Sequence, residues 1–117
     1  MARVLDGIVS NYSRGANFER QVIKILILKG YAAIRAAGSH SPADIWATKD
    51  GKLFFVQCKI SGKLSPDEWN TFYDYATENN AIPIMASRPC RGAVAFHHLT
   101  GRKDKGKRTQ PMEATEL

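Results

Sequence analysis

The stretch "DIWATKDGKLFFVQCKI", residues 44–60, decides the fold of this 117-residue chain. It contains two strand-like runs separated by Asp50 and Gly51, and Asp-Gly is a preferred sequence for a two-residue type I′ hairpin turn. Because a two-residue turn permits only one pairing, Lys49 must face Lys52, and this register holds along both strands. The stretch therefore predicts a tight antiparallel hairpin.

The register of this hairpin brings polar residues together at its open end. Asp44 is predicted to lie opposite Gln57, and directly opposed residues share a face with Cβ atoms about 5 Å apart. Lys59 follows Gln57 by two residues, so strand periodicity places it on the same face. A carboxylate, an amide and an ammonium group are thus expected at one end of the sheet.

A helix upstream contributes a fourth polar group. In "SRGANFERQVIKILILKG", residues 13–30, apolar side chains recur at helical spacing and Gly30 is a stop signal. Glu19 falls within the apolar stripe, where a carboxylate is costly unless it is paired, protonated or bound to a metal ion. It is also favoured near a helix N-terminus by the helix dipole, so a simple boundary position is the alternative.

The remaining elements complete one mixed α/β domain. Ser65 and Pro66 predict the N-cap and first residue of a second helix that ends near residues 79–80. Further strands are predicted at residues 31–38, 81–87 and 92–99. The order α-β-β-β-α-β-β indicates a five-stranded mixed sheet flanked by helices, with one domain at residues 1–100 and a tail at 101–117.

Charge favours a polyanionic partner. The net charge is +6, and the segment at residues 101–108 holds five basic residues and one acidic residue, whereas residues 109–117 hold two acids and no base. This tail is either a DNA contact or a solubilising end. Cys58 and Cys90 lack zinc-site spacing, and no apolar run is long enough to span a bilayer, so we expect a cytoplasmic protein without a membrane partner.

The polar constellation suits a divalent cation. Mg²⁺ prefers oxygen ligands, usually one or two carboxylates with water and substrate phosphate, and Asp44, Glu19 and the Gln57 side-chain oxygen provide such a set. Lys59 is then placed to stabilise a phosphoryl transition state. The alternative is a buried Asp44–Lys59 ion pair bridged by Gln57, which leaves Glu19 and the basic charge without a role.

Residues 13–60 resemble the archaeal-type Holliday junction resolvases of the PD-(D/E)xK nuclease superfamily. The matching pieces are "RGANFER" at residues 14–20, "RAAGS" at 35–39, the Pro-x-Asp-Ile sequence at 42–45, and the strand that ends in Cys58 and Lys59. The resemblance extends to about residue 99 through the order of the elements. It implies a restriction-endonuclease-like fold and a homodimer that cuts two opposed strands of a four-way DNA junction with Mg²⁺, for which Mn²⁺ substitutes.

The resemblance also assigns residues to roles. The metal positions are Glu19, Asp44 and Gln57, and Lys59 is the catalytic lysine beside them. Basic or polar positions near the DNA are Arg14, Arg35 and Ser39, and we add the cations that follow the hairpin or begin the tail, which are Lys63, Arg102 and Lys103.

One position departs from the family pattern, because Gln57 stands where a glutamate is usual. Two other functions therefore stay open. The first is another nuclease of the superfamily, of the nicking, repair or restriction type. The second is a junction-binding protein whose catalysis is impaired by the missing carboxylate.

Overall fold

Two helices cover opposite faces of a six-stranded sheet whose spatial order is β1-β2-β3-β4-β5-β6. The structure is a computed structural model that describes residues 11–36, 41–90, 92–106 and 110–117, without the side chains of residues 11–14. The elements, in chain order, are α1 (Asn11–Leu28), β1 (Ala32–Arg35), β2 (Ile45–Lys49), β3 (Lys52–Cys58), α2 (Pro66–Glu78), β4 (Ile82–Ser87), β5 (Ala95–Leu99) and β6 (Met112–Thr115).

The central hairpin has the predicted turn and register. Asp50 and Gly51 have φ values of 53° and 77°, as a type I′ turn requires. The β2–β3 ladder runs from Lys49 opposite Lys52 to Ile45 opposite Val56. The mixed character of the sheet arises at β4, which is parallel to β3, whereas the other neighbouring pairs are antiparallel.

Each helix buries one apolar stripe against the sheet. On one face, Phe18, Val22 and Leu26 of α1 pack on side chains of β2, β3 and β4. On the other face, Trp69 and Phe72 of α2 pack on a second set of side chains that includes Phe55 and Met85. Burying a large apolar side chain contributes about 1.5–3 kcal/mol, so these two layers are the main source of stability.

The second helix is the crossover that parallel strands require. Ser65 is its N-cap and forms a capping box with Glu68, while Pro66 occupies the first turn. The sequence prediction of this helix start is confirmed. Because α2 runs back from the end of β3 to the start of β4, its N-terminus lies at the edge of the sheet where β3 and β4 end.

The predicted number of five strands is wrong, because the described residues form a sheet of six. The sixth strand comes from residues that were expected to form part of the tail: Met112–Thr115 pairs antiparallel with β5. Because it is only four residues long, β6 carries a weak sequence signal, and its pairing depends on the free edge that β5 offers. None of the described helices is long and apolar enough to cross a bilayer.

Candidate active site at one edge of the sheet

Five elements bring functional groups to the same edge of the sheet. Strands β1, β3 and β4 end there, β2 begins there, and the antiparallel and parallel pairings fix this arrangement. The N-terminal half of α1 lies beside this edge, since its Glu19 contacts Arg35 at the end of β1. This edge is the end of the sheet at which those strands begin or stop, and not an outer strand. We call it the active edge, defined by Glu19, Arg35, Asp44, Gln57 and Lys59.

Asp44 is held in place by hydrogen bonds on both sides. Its backbone N–H donates to Val56 O at 2.9 Å, and its carbonyl accepts from the N–H of Ala36 at 2.9 Å. Its side-chain Oδ2 accepts from the backbone N–H of Cys58 at 2.8 Å. Both the main chain and the carboxylate of Asp44 are therefore positioned by the neighbouring strands before any ligand binds.

The surroundings of Asp44 disfavour its charged form. Burial is the main cause that raises the pKa of Asp44 from 3.8 to about 6, and the nearby Glu19 carboxylate adds to the rise. The Cys58 N–H, Arg35 and Lys59 act in the opposite direction. Burial and the same two carboxylates also raise the pKa of the Cys58 thiol well above its usual value. Two carboxylates thus repel each other at a partly desolvated position, which a bound cation would relieve.

Glu19 is the less exposed member of an ion pair. Its Oε1 accepts a hydrogen bond from Arg35 Nε at 2.8 Å, and only 16% of its side chain is exposed, against 47% for Arg35. The helical stripe predicted an inward-facing carboxylate, and the structure brings it to Asp44 as well as to Arg35. Arg35 was predicted near the scissile phosphate, and here its Nε contacts the candidate metal ligand.

Gln57 and Glu19 approach Asp44 from different faces of the sheet. Gln57 is the register partner of Met85 and follows Phe55 by two residues, and both of these belong to the core beneath α2. Gln57 and Asp44 line one open cleft of about 450 Å³. Lys59 lies one residue beyond β3 and is half-buried, and its N–H donates to Ala86 O at 2.9 Å. The structure therefore groups all four predicted catalytic residues at the active edge.

The wall of this cleft that α2 contributes was not predicted from the sequence. Asp67, Glu68 and Thr71, all in the first turns of α2, line it together with Ser41 and Pro42. The Ser65–Pro66 start signal, combined with the rule that a crossover helix begins where the first strand ends, would have located them. Asp67 and Glu68 add two carboxylates to the α2 side of the cleft, and Lys105 lies 3.8 Å from the Asp67 carboxylate.

The structure places the predicted DNA-contacting residues in different surroundings. Lys63 is exposed in the turn after β3. Arg14 lies in α1 but its side chain is outside the described part of the structure, and Ser39 is outside the described residues altogether. Arg102 pairs with Asp74, and the ammonium group of Lys103 donates to Leu64 O at 3.1 Å and lies 5.5 Å from the centre of the Trp69 ring.

The oxygen donors at the active edge fit a hard divalent cation. Asp44 and Glu19 supply carboxylates, and the Gln57 amide supplies a neutral oxygen, which are ligand types that Mg²⁺ and Mn²⁺ accept. Among the described residues, no group of three His, Cys, Asp or Glu side chains is close enough to hold an ion. A cation here would therefore rely on two carboxylates, Gln57, main-chain oxygens and water.

Comparison with known proteins defines the class to which this fold and site belong. The sequence model of the archaeal Holliday junction resolvase (Hjc) family matches residues 10–114, and the chain belongs to this family.

Individual relatives agree with this assignment. The crossover junction endodeoxyribonuclease Hjc of Methanocaldococcus jannaschii is 38% identical over 52 residues, which are 44% of this chain but only 38% of that protein's length. The structure of Archaeoglobus fulgidus Hjc, a Holliday junction resolvase from an archaeal hyperthermophile, superposes with a TM-score of 0.62. It is 31% identical, and the match covers 70% of this chain and 74% of that one.

Proposed function

We propose that this protein is a metal-dependent, structure-selective endonuclease that resolves four-way DNA junctions by hydrolysing two opposed phosphodiester bonds. The observation that carries the proposal is the half-buried, hydrogen-bonded Asp44 beside Glu19, Arg35 and Lys59, at one edge of a sheet that matches an Hjc structure. The cytoplasm, where chromosomal DNA is accessible, is the proposed place of action.

Asp44, Glu19 and the Gln57 oxygen are the proposed metal ligands, with Mg²⁺ as the ion and Mn²⁺ as a substitute. When bound, such an ion neutralises charge on a phosphate oxygen and makes water a better nucleophile. The burial of Asp44 and its repulsion by Glu19 support this assignment, since both are relieved when a cation binds. Glu19 shares its carboxylate with Arg35, so the ion and the guanidinium must occupy different oxygens or lone pairs.

The cations of the active edge are proposed to act on the phosphate. Lys59 lies close enough to Asp44 to affect its ionisation, so its ammonium group can stabilise negative charge that develops on the phosphate oxygens and can orient the attacking water. Arg35 is held by Glu19, and its positive charge is proposed to act on the same phosphate. The Arg35 guanidinium is positioned by Glu19 before the substrate arrives, which lowers the cost of reorganisation in the transition state.

Gln57 determines which of the alternatives applies. As a neutral ligand it removes one negative charge from the site and weakens cation binding, but it keeps an oxygen at the required place. We therefore favour an active enzyme with a higher metal requirement. The two alternatives are another nuclease of the superfamily and a junction-binding protein without catalysis. Both would share this fold, so only the DNA substrate and the reaction product distinguish them from a junction-resolving enzyme.

The protein is further proposed to act as a homodimer, since two opposed cuts on a two-fold symmetric junction suit a C2 assembly. Helix α2 packs on β3 and β4, and Ile34 and Trp46 on its side of β1 and β2 remain 61% and 36% exposed. Trp46 stacks on Phe55, and Phe55 stacks on Tyr75. This apolar surface is the proposed dimer contact.

The dimer surface has a matched test by sedimentation. Trp46→Ser should shift the protein toward monomer, and Leu28→Ser, at an apolar residue that is 86% exposed on α1, should not. A Trp46→Ser protein that sediments as wild type would remove this surface from the interface.

The proposed activity is tested by incubating the protein with Mg²⁺ and either a labelled four-way junction or a linear duplex of the same sequence. Selective cutting of the junction, abolished by EDTA, is expected. Equal cutting of both substrates would favour a general nuclease, and tight junction binding without cutting in Mg²⁺ or Mn²⁺ would favour the impaired binder.

A further inference from the structure

Arg88 is the first residue after β4, and the proposed chemistry does not use it. Its backbone N–H donates to Ile60 O at 3.0 Å, which fixes it beside the turn that follows Lys59. Since β3 and β4 are parallel, Arg88 lies at the active edge. Asp44 directly precedes β2, so two strand spacings, roughly 10 Å, separate it from β4 across the sheet. Arg88 lies three residues beyond Met85, the register partner of Gln57, which adds roughly 10 Å along the strand direction.

The guanidinium group of Arg88 is held by α1. Its Nη1 donates to Gln21 Oε1 at 3.2 Å, and its Cζ lies 5.8 Å from the centre of the Phe18 ring. Both contacts come from the part of α1 that carries Glu19. The side chain therefore has a defined direction, which reduces the entropy lost when it binds a ligand.

The hydrogen-bonding capacity of Arg88 is only partly used. Its Nε is buried and has no acceptor among the described residues. None of the carboxylates in the described part of the chain forms an ion pair with it. A buried donor without an acceptor costs free energy, and an arginine without an anionic partner is well suited to a bidentate phosphate contact.

The charge distribution at the active edge points to the same ligand. Asp67 and Glu68 line the α2 side of the cleft, whereas Arg35 and Arg88 both contact α1 on the other side. Lys105 offsets part of the negative charge on the α2 side, since it lies 3.8 Å from Asp67. A DNA strand is attracted more strongly on the side of the two arginines. With Arg35 at the end of β1 and Arg88 at the end of β4, the two guanidinium groups flank Asp44 along the edge.

We propose that Arg88, positioned by Gln21 and Phe18, binds a backbone phosphate of the cleaved strand next to the one that is hydrolysed. This inference rests on the proposed function and deepens it, since it extends the substrate-binding surface from the scissile phosphate to its neighbour. It gives Gln21 the role of a positioning residue.

The test measures junction binding in EDTA over a range of salt concentrations. Each phosphate contact that is lost reduces the slope of log K against log salt by about 0.9, and a homodimer carries Arg88 twice, so the slope should fall by about 1.8. Arg88→Gln should therefore bind roughly tenfold or more weakly, with a shallower slope. Arg88→Lys keeps the charge without the planar fork, so it should retain the slope and lose only part of the affinity.

Gln21→Glu provides an independent test in which Arg88 itself is unchanged. The new carboxylate, at the position that now accepts from Nη1, should pair with Arg88 and weaken DNA binding as Arg88→Gln does. Arg20→Gln is the matched control, because Arg20 is exposed on the same helix and its Nη1 donates to the nearby Asn17 side chain. It should leave the affinity within about twofold of wild type.

The outcomes separate this inference from the proposed function. If wild type neither binds nor cuts the junction, the proposed function fails. If wild type binds and cuts but Arg88→Gln and Gln21→Glu keep its affinity and salt slope, Arg88 has no phosphate contact and the inference is overturned. Thermal melting of each variant identifies a purely structural role, which would lower the melting temperature and leave the salt slope unchanged.

Discussion

Replacing Asp44 by asparagine should stabilise the metal-free protein. The pKa of this carboxyl group is raised from 3.8 to about 6, chiefly by burial, so the folded state retains a proton that the unfolded state has already lost. The free energy of unfolding therefore falls as pH rises from about 4 to about 6, and the decrease is complete above that range. At 1.36 kcal/mol for each pH unit, the decrease is about 3 kcal/mol.

Asparagine is uncharged at every pH and keeps an oxygen that can accept from the Cys58 N–H. The Asn variant and wild type should therefore unfold with similar free energies at pH 4, and the variant should be about 3 kcal/mol more stable at pH 7.5. Urea denaturation in EDTA measures this difference, and the midpoint should move upward by roughly 1–3 M. Mg²⁺ should stabilise wild type at pH 7.5 much more than the variant, because it binds only the folded site.

Asp50→Asn is the control, since it makes the same chemical change at a turn position with a φ of 53° that asparagine also adopts. The free energy of unfolding of this control should show no comparable increase over wild type as pH rises. If the Asp44→Asn protein and wild type have the same dependence of unfolding free energy on pH, the carboxylate is not destabilised in the folded state. Asp44 would then offer no electrostatic reason to place a cation at this edge.

Three further changes test other parts of the site and fold. Gln57→Ala should impair junction cleavage severely, whereas Gln57→Glu should keep or raise the cleavage rate and lower the Mg²⁺ concentration needed. A titration with Mg²⁺ measures both effects. Normal cleavage by the alanine variant would leave Gln57 without a role at the metal. Lys59→Ala should reduce single-turnover cleavage as much as Asp44→Asn does while junction binding is largely kept, and a rate within tenfold of wild type would exclude it from the transition state. Asn70→Ala should lower the free energy of unfolding by about 1–3 kcal/mol, because Asn70 exchanges two hydrogen bonds with the backbone of Lys103; Asn79→Ala, which removes a single exposed bond to Tyr75 O, should cost clearly less in the same urea titration.

Local signals predicted much of the fold. The Asp50–Gly51 turn fixed the β2–β3 register without any knowledge of the rest of the sheet, because a two-residue turn permits one pairing. Likewise, the Ser65 cap depends on residues within one helical turn. By contrast, β6 depends on a distant edge and on tethers such as the bond from Trp69 Nε1 to Gly101 O at 2.9 Å. No pattern within residues 112–115 reveals such a partner.

The candidate site likewise combines residues that local patterns predicted with contacts that depend on how distant elements pack. Asp44, Gln57 and Lys59 followed from one hairpin, and Glu19 from one helical stripe, so each was accessible to periodicity. The pairing of Arg35 with Glu19 depends on how α1 lies across β1, which the sequence does not encode locally. The prediction that Arg102 and Lys103 contact DNA relied on charge alone and stays a prediction. The charge pattern did not reveal their contacts within the protein, which are Asp74 for Arg102 and Leu64 O for Lys103.

The most direct test of the central claim is to map the cuts in a four-way junction at nucleotide resolution and to treat the products with DNA ligase. We predict Mg²⁺-dependent nicks at symmetric positions on two opposed strands, made by wild type and absent with Asp44→Asn, which ligase seals into intact duplexes. Cuts at unrelated positions, products that ligase cannot seal, or equal cutting by the Asp44→Asn variant would contradict it.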